Sequence, residues 1–288
     1  MRFERPETAE DASALLAQAG DRSFVLAGGT DLLVRMQSDD FDAEIIVDIK
    51  AIAGMTDIVE TDSGGFLIGA GVPCAALGEH VGLVSSWPGI VEAANLIGST
   101  QIQGRCTISG NLCNASPAAD SVPALVAAGA RARITGPDGT RDLAVEDVPL
   151  SPGKTALVAG EFIEAIELDA PGVRSGDAYL RFTPRTEMDI AVVGVGLRLM
   201  LDAAGIVENA KIGLGAVGPK VVVPEAAAAA LVGTKLEDDV LEQLERACSE
   251  ASHPIDDKRG TVDFRRDVVG VLARRAARIA YARAGGTA

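Results

Sequence analysis

The sequence predicts an α+β fold in two parts, and three observations carry this. The first fifty residues read as strand, glycine turn, helix, strand, a β–α–β unit. The run Asp169-Ala170-Pro171-Gly172 breaks the apolar patterning and marks a domain boundary. Beyond about Ser175, three strand-like runs come first and three helices follow, the pattern of an antiparallel sheet with helices on one face. A chain of 288 residues is long enough for two such parts and a sizeable core.

Taken in order, Thr8 caps a helix running to about Ala19, with Asp11 at its third position. Ala12, Leu15, Leu16 and Ala19 share one face, and Gly20 ends the helix. Phe24-Val25-Leu26-Ala27 is a short buried strand entering Gly28-Gly29-Thr30-Asp31, and Leu32 to Met36 begins the next helical turn. Strand, glycine turn and helix start together present backbone amides to an anion. Taken alone, the Gly-Gly-Thr run reads as an ordinary turn rather than an anion site, because it lacks both the Rossmann spacing and the Walker lysine. Ile45 to Ile49 is a second, β-branched strand.

Ile58 to Glu60 and Phe66 to Ala70 flank Asp62-Ser63-Gly64-Gly65 as a hairpin. Cys74 to His80 and Ile90 to Ile97 are helical, and Trp87 before Pro88 is a packing residue. Ser121 to Ala128 is an apolar helix with Pro123 in its first turn, and Asp120 stands where a cap would. Arg131 to Thr135 alternates, Gly136 to Gly139 turns the chain back, and Phe162 to Leu168 alternates again. In the second part, Ala178 to Phe182, Ala191 to Leu201 and Ile206 to Val217 give the three strands. An alanine-rich helix from Pro224-Glu225, Leu236 to Ser252 and Asp263 to Ala284 give the three helices.

The stretch Thr107 to Asp120 has little apolar bulk and reads as a loop that wraps a polar ligand. Gly110 lets backbone approach something that is not protein. Asn111 and Asn114 offer donors and acceptors, and Thr107 and Ser116 add hydroxyls.

Composition excludes several function classes. A formal charge of −15 argues against nucleic acid or an anionic membrane as partner, and any bound phosphate would rely on amides rather than a basic cluster. There is no apolar run long enough to span a bilayer and no signal-peptide core, so a cytoplasmic location is the expectation. Cys74, Cys106, Cys113 and Cys248 are scattered without a Cys-x-x-Cys, which argues against a cluster or zinc held by this chain. They read as buried, inert thiols, with Cys106 just before the central stretch and Cys113 within it. His80 and His253 read as structural, and no Ser-His-Asp or Cys-His arrangement stands out.

Three motifs in order resemble the FAD-binding medium subunit of the molybdenum hydroxylases, the carbon monoxide dehydrogenase and xanthine dehydrogenase relatives. They are Ala27-Gly28-Gly29-Thr30-Asp31-Leu32; Thr107-Ile108-Ser109-Gly110-Asn111 through Ala115-Ser116-Pro117 to Asp120; and Arg181 through Arg185 to Asp189-Ile190-Ala191. Asp257-Lys258-Arg259-Gly260 with Phe264-Arg265-Arg266 adds to the likeness, which covers nearly the whole chain. The resemblance implies an FAD-binding domain of the PCMH type over residues 1–173. Its α/β subdomains would span about 1–56 and 57–173 with the flavin between them, followed by a C-terminal α+β domain over 174–288.

The backbone from Ala27 to Leu32 and from Thr107 to Asn111 would hold the pyrophosphate and ribityl region. Asp120 would lie near a sugar hydroxyl of the adenosine part, Ile190 beside the isoalloxazine, and Arg181 where many relatives carry a lysine near the flavin. Gly98, Cys113, Asn114 and Ile163 complete the implied cofactor-binding set, and no metal is expected on this chain. Three positions depart from the family. Ser109 replaces a glycine of Thr-Ile-Gly-Gly-Asn, which implies a negative φ there. Phe24 stands where relatives often have lysine, and Arg181 cannot shed its proton. No cysteine-rich insertion is present, which speaks against the benzoyl-CoA reductase branch.

The resemblance further implies an electron-transfer role. A small subunit with [2Fe–2S] clusters and a large molybdopterin subunit would be partners, as a dimer of heterotrimers. Electrons would pass from those clusters to FAD and on to an external acceptor. Two alternatives stay open from the sequence. One is a stand-alone FAD-dependent oxidase or dehydrogenase, whose base would have to be found in the C-terminal part. The other is a scaffold that has lost the cofactor.

Overall fold

The computed structural model describes residues 1–38 and 41–287. Strand β1 (Arg2–Glu4), helix α1 (Ala9–Ala19), β2 (Ser23–Leu26), the single turn α2 (Leu32–Arg35) and β3 (Ile45–Asp48) form the first unit. Its sheet is parallel, in the order β1-β3-β2. Thr8 caps α1 by accepting the Asp11 N–H at 3.1 Å, and Gly20 closes it with φ 51°. Central β3 is buried on both faces. Ala12 and Leu16 pack with Ile45, Val47 and Ile49 on one side, while Leu26, Phe24 and Phe41 meet Ile46 on the other. This is why β3 reads as an unbroken apolar run. Strand β1 was not expected, because three residues carry no period of their own; its pairing with β3 defines it.

The second unit begins with the hairpin β4 (Ile58–Glu60) and β5 (Phe66–Gly69). Helices α3 (Cys74–Glu79), α4 (Val81–Ser86), α5 (Pro88–Ala94), α6 (Thr100–Gln103), α7 (Ile108–Cys113) and α8 (Ser121–Ala128) follow. Then come β6 (Arg131–Gly136), β7 (Gly139–Ala144), the short β8 (Pro149–Ser151) and β9 (Lys154–Thr155), and β10 (Phe162–Leu168). The five-stranded sheet has the order β4-β5-β10-β6-β7, so the last strand sits at its centre. The helices bury Leu77, Trp87, Ile90, Leu112 and Leu125 with Phe66, Ile68, Ile134 and Ile166 of that sheet. Helix α4 is unexpected and is capped by His80, whose Nδ1 accepts the Leu83 N–H at 3.1 Å. Trp87 is buried, with the Arg198 guanidinium 5.2 Å from its ring.

The third unit is the antiparallel sheet β11 (Ser175–Phe182), β12 (Val193–Leu201) and β13 (Val207–Gly215), with α9 (Glu225–Ala229), α10 (Asp238–Glu250) and α11 (Val262–Arg283). Helices α10 and α11 cover one face, as the sequence predicts, with Val269, Ala273 and Ala277 against Val195, Leu197 and Leu199. The opposite face is covered too, by α8 from the preceding unit. A Cβ at Gly196 would collide with the Pro123 carbonyl of α8, so glycine there lets helix and sheet backbones touch. This contact explains why every residue of α8 is buried. Around it, the Gly89 N–H donates to Asp177 Oδ2 at 3.0 Å, and the Tyr179 N–H to Glu92 Oε2 at 3.0 Å.

Candidate functional site

The site is built where the glycine turn after β2 meets the segment entering α7. A Cβ on Gly28 would collide with the carbonyl of Arg105 and crowd Cys106 Cα. Gly28 is therefore required by close approach to the second motif's own backbone, and not only to a ligand. Gly29 has φ 81°, which turns the chain toward α2. Beneath the turn, Lys50 Nζ donates to the carbonyls of Leu26 at 3.3 Å and Ala27 at 2.9 Å, held by Asp48 at 2.6 Å. With those carbonyls engaged from below, the amides of Gly28, Gly29, Thr30 and Asp31 donate to no other group among the described residues.

The stretch Thr107 to Asp120 is not the loop that its composition suggests; it contains helix α7. Serine, glycine and asparagine are poor helix formers, but Thr107 caps the turn by accepting the Gly110 N–H at 2.9 Å. Ser109 takes a helical conformation with negative φ, as its replacement of a glycine implies. The amides of Ile108 and Ser109 donate to no other group among the described residues. Asn111 is committed on one side, since its Oδ1 accepts the Ser121 N–H at 3.1 Å and the Ser121 hydroxyl at 2.7 Å. It therefore ties α7 to α8 and leaves its Nδ2 for the cleft.

Between these two amide rows lies an open cleft of about 370 Å³. It brings together Ala27, Gly28, Gly29, Thr30, Asp31 and Leu32 with Thr107, Ser109, Gly110, Asn111, Cys113, Asn114 and Ile163. At Gly110 a side chain would meet only Thr107 Oγ1, at 3.0 Å, and would otherwise project into free space. Desolvation pushes the Cys113 thiol up to about 12, so it lines the wall as a neutral group. Sequence reasoning missed three contributors. Lys50 gave no signal, because its carbonyl partners lie far away in sequence. Phe24 was noted only as a departure, yet it packs against Phe41 as a tilted pair with centroids 4.8 Å apart. Arg35 stands 5.4 Å over the Phe24 ring and is the sole cation lining the cleft among the described residues.

Gly98, Ile108, Asp120, Arg181 and Ile190 do not line this cleft. The Ile108 side chain is in the core. Gly98 accepts the Met188 N–H at 3.1 Å, which brings the loop carrying half-exposed Ile190 to the end of α5. Asp120 makes no side-chain cap on α8. Instead it accepts the Tyr179 hydroxyl at 2.9 Å and the Arg181 guanidinium at 2.8 Å, with side-chain exposures of 10% for Asp120 and 5% for Arg181. Burial raises its pKa to about 6, against the opposing pull of Arg181 and Tyr179. Asp120 and Arg181 thus meet at one place, the joint between α8 and β11.

The donor set fits a diphosphate. Two rows of amides without a partner among the described residues border one cleft with an unobstructed glycine, and Arg35 is its cation, in a chain too acidic to offer a basic cluster. Comparison with known proteins agrees in extent and in kind. Residues 1–171 match the family described as the FAD binding domain in molybdopterin dehydrogenase. Residues 178–280 match the CO dehydrogenase flavoprotein C-terminal domain. The chain is 32% identical to the carbon monoxide dehydrogenase medium chain of Afipia carboxidovorans, over 98% of this chain and 97% of that one. It is 27% identical to the xanthine dehydrogenase FAD-binding subunit of Escherichia coli O157:H7, over 99% and 97%. The solved structure of reconstituted CO dehydrogenase from Oligotropha carboxidovorans superposes with a TM-score of 0.93 at 31% identity, covering 98% of each chain.

Proposed function

The chain belongs to the FAD-binding medium subunits of the molybdenum hydroxylases, and from that premise we propose that it is the electron-transferring FAD subunit of a larger enzyme. Residues 1–173 are the FAD-binding domain, with subdomains of about 1–56 and 57–173, and residues 174–288 the C-terminal domain. The partners are a small subunit with [2Fe–2S] clusters and a large molybdopterin subunit, assembled as a dimer of heterotrimers in the cytoplasm. When bound, FAD supplies the redox chemistry, accepting electrons from the partner's clusters and yielding them to an external acceptor.

This chain's residues bind and orient. The amides of Gly28 to Asp31 and of Ser109 neutralise the diphosphate, and the bare Gly110 keeps the approach open. Arg35 adds the one positive charge, braced on Phe24. We assign the ring side to Ile190 and Gly98. Arg181 has its charge engaged by Asp120, and its part is to hold β11 against α8.

The observation that carries the reading is the pair of facing amide rows with unobstructed glycine between them. No histidine lines the cleft among the described residues, in keeping with a subunit that moves electrons and leaves substrate chemistry to a partner. The test is purification of the complex with quantitation of flavin by absorbance and mass spectrometry. One FAD per chain is expected, bleached when substrate reduces the complex. A complex that turns over with no flavin ends the reading.

A further inference from the structure

Two cysteines from distant segments meet behind the cleft wall. The Cys74 N–H, at the start of α3, donates to the Cys106 carbonyl at 2.8 Å. That direct backbone bond makes the two residues neighbours in space, as a disulfide between them requires. Each thiol is close enough to shift the titration of the other. Both residues are buried and free, yet they differ in access. Cys106 lines the cleft beside the glycine turn, whereas Cys74 does not. Nothing in the binding role uses this pair. The cleft is the open side next to Cys106, and a ligand seated on the Gly28 turn would cover it.

We propose that Cys74 and Cys106 are a dithiol that a peroxide converts to a disulfide when the cleft is empty, and that bound FAD shields it. The shielding rests on the FAD reading above; the disulfide itself does not. The chemistry balances with hydrogen peroxide as oxidant. The Cys106 sulfur attacks one peroxide oxygen, the O–O bond breaks, and water leaves as a sulfenic acid forms. The Cys74 sulfur then attacks that sulfur, an S–S bond forms, and a second water carries away the hydroxyl and the remaining thiol proton. Two thiols are oxidised by two electrons, and one peroxide is reduced to two waters. The asymmetry of the pair supports this order, since the neighbouring thiol lowers the Cys106 pKa, while that neighbour and burial raise that of Cys74.

The test uses the full chain, stripped of flavin and reloaded with FAD, and treated with hydrogen peroxide. Thiols are blocked by alkylation and peptides mapped by mass spectrometry. The stripped chain is expected to lose two hydrogens in intact mass and to yield a Cys74–Cys106 linked peptide. Reloading with FAD slows this by about tenfold or more, as steric cover does for reactive thiols. Cys74→Ser leaves a Cys106 sulfenic acid that dimedone traps, and Cys106→Ser leaves Cys74 unreacted. A stripped chain that keeps both thiols, or that links either to Cys113 or Cys248, overturns the proposal. Equal rates with and without bound FAD overturn the shielding. A chain that takes up no FAD overturns the functional reading, while the linked peptide still decides the dithiol.

Discussion

At the scale of single residues, the two motif glycines separate function from fold. A side chain on Gly28 strikes the Arg105 carbonyl, which is backbone and cannot move aside. Gly28→Ala is expected to cost about 1–3 kcal/mol of stability, the usual penalty of overpacking, and to lose flavin with it. Gly110 faces open space apart from the Thr107 hydroxyl at 3.0 Å. Gly110→Val should leave the thermal midpoint of the flavin-free chain nearly unchanged while FAD affinity falls by about tenfold or more, a loss of at least about 1.4 kcal/mol. Full flavin occupancy in that variant would show that α7 does not face the diphosphate. Arg35 offers a milder test, because it is exposed and its charge is screened. Arg35→Leu should weaken FAD binding by about fivefold to tenfold at low salt, with Arg35→Lys recovering part of the loss. Fluorescence titration of the stripped chain reads both variants. Riboflavin, which lacks the diphosphate, should bind the variants as it binds the parent.

At the scale of elements, the joint between α8 and β11 concentrates the buried charge. Removing the Asp120 carboxylate leaves Arg181 buried without a counter-ion, so Asp120→Ala should cost about 3–5 kcal/mol. The sign of the pH effect follows from the pKa, raised by burial to about 6 in the folded chain. The folded state binds this proton more tightly than the unfolded one does. The linked stabilisation is full below the unfolded carboxyl pKa of about 3.9 and is lost as pH rises through about 6, in total roughly 2–3 kcal/mol. Unfolding of the parent and of Asp120→Asn, followed between those values, should therefore show a steeper decline in the parent. Parallel curves would place the titration elsewhere. This joint also marks what sequence could and could not reveal. Strands β2, β3 and β10 to β13 and helix α1 were legible, because each carries its own period, cap or β-branched run. Helix α7 was not, since Ser109, Gly110 and Asn111 disfavour helix, and the Thr107 cap, the Asn111 tie to Ser121 and the burial of Ile108 and Leu112 hold it. Asp120 looked like a cap because it precedes an apolar helix; its real partners, Tyr179 and Arg181, lie on β11 in the next unit. The motif residues of the cleft could be named from the sequence, but Lys50 could not, because its role exists only once β3 lies beside β2.

At the scale of the whole molecule, the cleft is a seam between the first unit and the second. Few apolar groups cross it: Phe162 and Ala70 from the five-stranded region join Ile45, Val47 and Ile49 of the parallel sheet. A ligand bound by amides from both sides adds a second tie across the seam, and it binds the folded state alone. Mass action then fixes the size of the effect, about 2.7 kcal/mol at a ligand concentration one hundred times Kd. The stripped chain should therefore unfold at a lower temperature than the FAD-loaded chain, by several degrees, with the midpoint rising as FAD is added. The first unit should gain most. Hydrogen exchange at the amides of Ile45 to Asp48 should slow on FAD binding, whereas exchange in β12, on the far side of α8, should change little. Uniform slowing across both would mean that the chain opens as one cooperative body. Slowing confined to β12 would move the ligand away from the glycine turn altogether.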